Sequence, residues 1–159
     1  MTQTSLSRWL RIIIIGVALC GLFIYAWVFP ALGKEIIQSY PEFSYCYYPW
    51  LILLWVTGIP CYVAMVFAWK IAGNIGAEHS FTLENGRLLK WISMLAALDA
   101  VFLFVMNIIY LFLNMNHPGV ALLVLFVVFT GFAICVICGG LSHLVNKAAV
   151  LQEESDWTI

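Results

Sequence analysis

Four long apolar stretches divide this chain, and the polar residues gather between them. The runs cover residues 12–29, 50–69, 91–113 and 120–141, and the third is interrupted only by Asp99 and Asn107. Each is near the ~20 residues that an α-helix needs to cross a hydrocarbon core of about 30 Å. Backbone facing lipid must satisfy its own hydrogen bonds, and no period-two alternation suggests a barrel. The pattern therefore predicts an all-α fold, a four-helix transmembrane bundle in one domain. Its spans are expected at about 10–30, 50–69, 91–113 and 119–143, with a connection at 70–90 and a tail at 146–159.

The first run follows Arg8 and Arg11, as the core of a signal peptide would. It is longer than the usual ~7–15 residue core, and Phe29-Pro30-Ala31-Leu32 makes a poor cleavage site. A retained span is expected.

Positive charge sets the expected orientation. Arg8 and Arg11 precede span one, Lys70, Arg87 and Lys90 lie between spans two and three, and Lys147 follows span four. Only Lys34 falls in the other two connections. The bias predicts a multi-pass protein of the cell membrane with both termini in the cytoplasm.

Composition narrows the function. The chain is 64% hydrophobic and 9% charged over 159 residues, where soluble domains have roughly 45–50% and 25%. Mean hydropathy is +1.01. These values exclude a soluble enzyme, a disordered tail and a basic nucleic-acid-binding domain. The net charge of −1 carries no partner signal. Five cysteines cannot all pair internally, and only Cys46 lies outside an apolar run. No catalytic or nucleotide-binding motif is present. The expectation is a non-enzymatic protein without a cofactor.

Asp99 is the one acid within a span. Placing it in hydrocarbon costs about 2.5–3.5 kcal/mol on insertion scales, which makes it a candidate for ligand, cation or proton binding. The alternative is a hydrogen-bonded acid that locks two helices together. Asn107, two turns on, joins it as a candidate and is expected to hydrogen-bond across helices. Depth counting puts Cys20, Cys61 and Cys135 in the same layer as Asp99. Thiolates suit zinc or copper, but cysteine also packs as a small apolar residue, and packing is the expectation. Gly131, Cys135, Gly139 and His143 recur at intervals of four. Small residues at that spacing let helices approach closely.

The connections carry further signals. Residues 30–49 hold Tyr40, Phe43, Tyr45, Tyr47 and Tyr48, expected to anchor at the membrane interface rather than act as a lid. His117 sits in a short turn. Gly73, Asn74 and Gly76 are expected to end the helix of span two. Thr82 can then cap a new one, with Glu84 in its first turn. The tail carries Glu153, Glu154 and Asp156, with Trp157 and Ile159 as apolar handles.

Two segments resemble a known family. Phe81-Thr82-Leu83-Glu84-Asn85-Gly86-Arg87-Leu88-Leu89-Lys90-Trp91-Ile92 resembles the segment that precedes the third span in a bacterial family of small four-span membrane proteins of uncharacterised function. Leu151-Gln152-Glu153-Glu154-Ser155-Asp156-Trp157-Thr158-Ile159 resembles that family's ending, with Trp157 in place of the usual Leu. The family's genes often stand beside one for a small helix-turn-helix regulator of the Cro/C1 type. The resemblance implies communication with such a regulator, without direct nucleic-acid contact. Glu84, Asn85, Arg87, Lys90, Glu153, Glu154, Asp156 and Trp157 become the candidate docking residues. The competing expectation is a small transporter or ligand-binding bundle centred on Asp99. Neither specifies an oligomeric state.

Overall fold

The computed structural model describes residues 2–156. Helix α1 runs Gln3–Phe23, passes through a π-turn at Ile24–Val28 and continues as α2, Phe29–Ser39. A 3-10 turn at Pro41–Cys46 leads into α3, Tyr47–Gly76; α4 spans Leu83–Phe112 and α5 spans Pro118–Asp156. No strand occurs among the described residues. Four helical segments are long and apolar enough to cross a membrane. At 1.5 Å per residue the 39 residues of α5 measure about 58 Å. That exceeds a ~30 Å hydrocarbon core, so the tail projects beyond it as continuous helix.

The helices exceed the apolar runs, for two different reasons. Residues 30–39, expected as connection, are helical. Pro30 has no N–H to offer the Ala26 carbonyl, and its ring would crowd that carbonyl in a regular helix. The π-turn immediately before it widens the backbone there. Residues 70–75 also stay helical, and the helix ends at Gly76, the last of the three expected breakers. Gly73 and Gly76 act in packing: a Cβ on Gly76 would meet the Ser7 side chain, and one on Gly73 would lie 3.0 Å from the Arg11 guanidinium. Ala77 is the C-cap, and Glu78 follows at φ 64°. His79 N–H then bonds the Asn74 carbonyl at 2.9 Å and Glu78 N–H the Ile75 carbonyl at 3.2 Å, a Schellman closure. Thr82 caps α4 as expected, its hydroxyl accepting from Asn85 N–H at 3.2 Å, with Glu84 in the first turn.

The packing follows chain order. The first span lies against α3, α3 against α4, and α4 most extensively against α5; the backbones of the first and last spans do not meet. The bundle is thus open along one side. Small residues and side-chain bonds to carbonyls hold it together, as expected where lipid removes the hydrophobic drive between helices. Ser7 Oγ donates to Ala72 O at 2.5 Å, and Tyr62 Oη donates to Ala18 O at 2.9 Å. Arg11 stacks over Trp69, 5.1 Å from the ring centre. Between α4 and α5, a Cβ on Gly131 would touch Ala100 at 3.0 Å and one on Gly139 would touch Ser93 Oγ at 3.2 Å. Ser93 Oγ also donates to Cys135 O at 2.8 Å. The stripe leaves the interface before His143, which is exposed while Ser142 is buried. Steps of four overshoot a 3.6-residue turn by about 40° each, so the third step has rotated away.

Both ends are tied. At the far end from the termini, Tyr110 Oη donates to Pro49 O at 3.0 Å, Trp50 Nε1 to Met115 O at 2.8 Å and Tyr45 Oη to Asn114 O at 3.0 Å. Tyr40, Phe43, Tyr45 and Tyr48 are exposed there, in keeping with rings at an interface. His117 Nδ1 accepts from Gly119 N–H at 3.1 Å and so caps α5. Cys46 is buried in the 3-10 turn.

Candidate functional site

Two places on the molecule gather polar groups that a purely packed bundle does not need. The first lies at the end that carries both termini. The turn between α3 and α4 is organised by Asn85, which is 1% exposed. Its Nδ2 donates to His79 O at 2.9 Å and Ser80 O at 3.0 Å, and its Oδ1 accepts from Asn74 Nδ2 at 2.7 Å. All of this amide's hydrogen-bonding directions except one lone pair are thereby used. Gly86 beside it brings α5 in: Ser142 Oγ donates to Gly86 O at 2.6 Å, and the Asn146 amide fills the space a Cβ would take.

Held this way, residues 78–83 form one wall of a groove of about 370 Å³. Gln3 closes one side and Ala149, Gln152 and Glu153 the other. Ser80 Oγ donates to Gln3 Oε1 at 3.2 Å, tying the start of α1 to this wall. Two carboxylates, Glu78 and Glu153, line the groove, and no Lys or Arg does. Phe81 and Leu83 are exposed at its rim. Glu78 keeps a left-handed backbone that glycine would adopt at no steric cost.

Among the sequence candidates at this end, Glu84, Arg87, Lys90, Glu153 and Glu154 are exposed. Asn85 is enclosed by the loop that it shapes. Glu153 lines the groove rather than forming an ion pair with Arg87 or Lys90. Trp157, Ile159 and the side chain of Asp156 lie outside the described residues. Sequence reading missed Gln3, Glu78 and Ser80, which carry no motif and meet only through the fold.

The second place is at mid-span. Asp99 is partly buried on α4 and has no hydrogen-bond partner among the described residues. Its electrostatic neighbours are Cys61 on α3 and Tyr25 in the π-turn of the first span. Thr57 and Tyr62 of α3 also lie beside Tyr25. The π-turn matters here, because it leaves the Tyr25 carbonyl free to accept from Trp55 Nε1 at 3.1 Å. Asn107 stands apart from this group. It is buried between the far ends of α4 and α5, donating to Ala121 O at 3.4 Å and accepting from Asn116 Nδ2 at 2.5 Å. It bridges helices, as its spacing predicted.

The cysteine layer does not converge. Cys20 and Cys61 are exposed to the lipid side, and Cys135 lies against Ser93, 3.3 Å from its hydroxyl. Among the described residues no three His, Cys, Asp or Glu side chains come together in a metal-binding arrangement. Equal depth placed these thiols at one level, but on different faces.

Comparison with known proteins adds the relatives. The profile of a family described as a protein of unknown function, DUF2975, matches residues 31–159. The uncharacterised membrane protein YoaS of Bacillus subtilis strain 168 is 27% identical over 152 residues, covering 94% of each chain. No solved structure matches the chain.

Proposed function

This chain belongs to the DUF2975 family of unknown function, and for this member we propose a non-enzymatic regulatory role in the membrane, exercised by docking a cytoplasmic protein in the groove at the terminal end. One observation carries the reading. The two segments that resemble the family's characteristic stretches, far apart in sequence, line the same groove: Phe81, Thr82 and Leu83 from one, Gln152 and Glu153 from the other. An acidic cleft rimmed by apolar side chains suits a basic partner segment with apolar anchors. Exposed ion pairs contribute only ~0–1 kcal/mol each, so the apolar residues must supply most of the affinity. Glu78 places its carboxylate in the groove from a positive-φ backbone. The resemblance nominates a small helix-turn-helix regulator as the partner.

The test is recovery of that regulator from native membranes. Full-length protein should retain it, and protein lacking residues 148–159 should not. Trp157→Ala should weaken recovery more than Glu153→Gln, and the charge change should matter less at high salt. Unchanged recovery without the tail would move docking to residues 81–92 or end the proposal.

The reading requires the groove to face the cytoplasm, which the distribution of Lys and Arg supports. Cys46 is a poor reporter of sidedness because it is buried. Tyr48 is 69% exposed at the opposite end. Tyr48→Cys in a cysteine-free background should react with an impermeant maleimide on intact cells. Labelling only after permeabilisation would reverse the orientation and put the groove outside.

A second reading, ligand binding or transport at mid-span, is favoured by the Asp99 carboxyl group, which has no hydrogen-bond partner among the described residues.

A further inference from the structure

Tyr25 connects Asp99 to a groove on the lipid-facing side of the first span and α3. The groove measures about 310 Å³ and is lined by Tyr25, Trp55, Gly58, Ile59, Tyr62 and Val63. Half of this lining is aromatic, and none of it is charged. Gly58 makes room for the Tyr25 ring, which a Cβ there would meet at 3.3 Å. Trp55 and Ile59 are exposed, Ile59 by 63%, so the groove opens sideways into the bilayer rather than to water.

Tyr25 contributes its ring to this groove, while Asp99 and Cys61 lie within electrostatic reach of its hydroxyl. Among the described residues no positive side chain acts on Asp99. The closest on α4 is Lys90, nine residues back and about 13 Å along the axis. A carboxylate at this depth calls for a partner, and none of the described residues supplies one. Aromatic faces attract cations, most strongly where water is excluded. Calcium and magnesium want a cage of oxygens and zinc or copper want thiolates or imidazoles, whereas this lining offers rings and aliphatic groups. An anion would be repelled by Asp99.

We infer that the groove binds a membrane-soluble organic cation, seated against the Tyr25, Trp55 and Tyr62 rings with Asp99 as its counter-charge. This inference rests on the ligand-binding reading and names the class of ligand. The cation enters from the bilayer, and its apolar substituents replace lipid against Ile59 and Val63.

Equilibrium dialysis of the full chain in lipid nanodiscs tests it, with tetraphenylphosphonium as probe and empty nanodiscs as blank. Tetraphenylborate, of the same shape and opposite charge, is the control. Wild-type protein should bind the phosphonium saturably and the borate not at all. Asp99→Asn should weaken phosphonium binding at least about tenfold, and Asp99→Glu should retain most of it. Ile59→Trp fills the groove from its lipid side and should abolish binding with Asp99 intact, which keeps the test decisive if Asp99→Asn fails to accumulate. Undiminished binding in Asp99→Asn or in Ile59→Trp overturns the site. Equal saturable binding of the borate overturns the cationic class and leaves the ligand-binding reading standing. Absence of saturable binding by either probe overturns both.

Discussion

Asn85→Ala should lower the melting temperature of the detergent-solubilised protein by roughly 10 °C, a loss of about 3 kcal/mol. The substitution removes three hydrogen bonds at once, to His79 O, Ser80 O and Asn74 Nδ2. It also leaves a void at the most enclosed large side chain among the described residues. The loss falls on the turn that walls the terminal groove, so recovery of the partner should drop even in the fraction that remains folded. Asn85→Asp keeps the acceptor toward Asn74 but replaces both donors with a buried charge facing two carbonyl groups. It should be at least as damaging. Melting within about 1 °C of wild type in Asn85→Ala would show that the turn is held by other means.

Gly86→Ala should destabilise the protein by about 2 kcal/mol, and Asn146→Ala should largely reverse that loss. The sign makes this diagnostic. In an open helical position alanine is favoured over glycine by about 1 kcal/mol, so a destabilised variant reports a collision rather than a propensity. The added methyl group would sit 2.6 Å from Asn146 Cγ. It would also press against the place where Ser142 bonds the Gly86 carbonyl. In the double variant the amide is gone and the methyl has room, so the two substitutions should couple by more than about 1 kcal/mol. Thermal melting of the four proteins of this cycle measures the coupling. Additive losses would remove the Gly86–Asn146 contact as the reason that α4 and α5 approach so closely here. Gly86→Val, with two further methyl groups, should prevent accumulation of folded protein.

These two neighbours account for part of the segment that marks the family. Glu84 leads the first turn of α4, Asn85 closes the preceding turn, and Gly86 admits α5. Only exposed positions around them, Arg87 and Lys90 among them, remain free to meet a partner. The proposed docking surface would therefore be built on a structural core that lies in the same few residues.

Much of the architecture was legible in the chain itself. Runs of apolar residues of membrane length can form little but helices, because lipid offers no partner for a free N–H or C=O. The Thr82 cap was legible because capping is local, needing one side-chain oxygen and the amide three residues on. The stripe at Gly131, Cys135 and Gly139 announced a close helix contact for the same reason: helical spacing alone puts those positions on one face. The lengths of the helices were less legible. Pro30 and Gly73 read as interruptions, yet the π-turn accommodates the proline and Gly73 serves a contact with the first span.

What only tertiary structure decided is which faces meet. In water, an apolar stripe identifies the buried side of a helix. In a bilayer, lipid and protein are equally apolar neighbours, so hydropathy cannot separate the face toward α3 from the face toward lipid. That choice rests on small residues and on single hydrogen bonds, whose partners lie in other spans. Cys20, Cys61 and Cys135 share a depth but not a face for this reason. Asn85 looked like a surface residue because a polar side chain in a turn usually is one, and only the converging carbonyls of His79 and Ser80 enclose it. The sequence by itself determined four helices and a charge bias that supports one orientation. The fold determined that Asp99 stands beside Tyr25 and Cys61, and that Gln3, Glu78 and Glu153 line one groove, since no spacing along the chain encodes a meeting among separate helices.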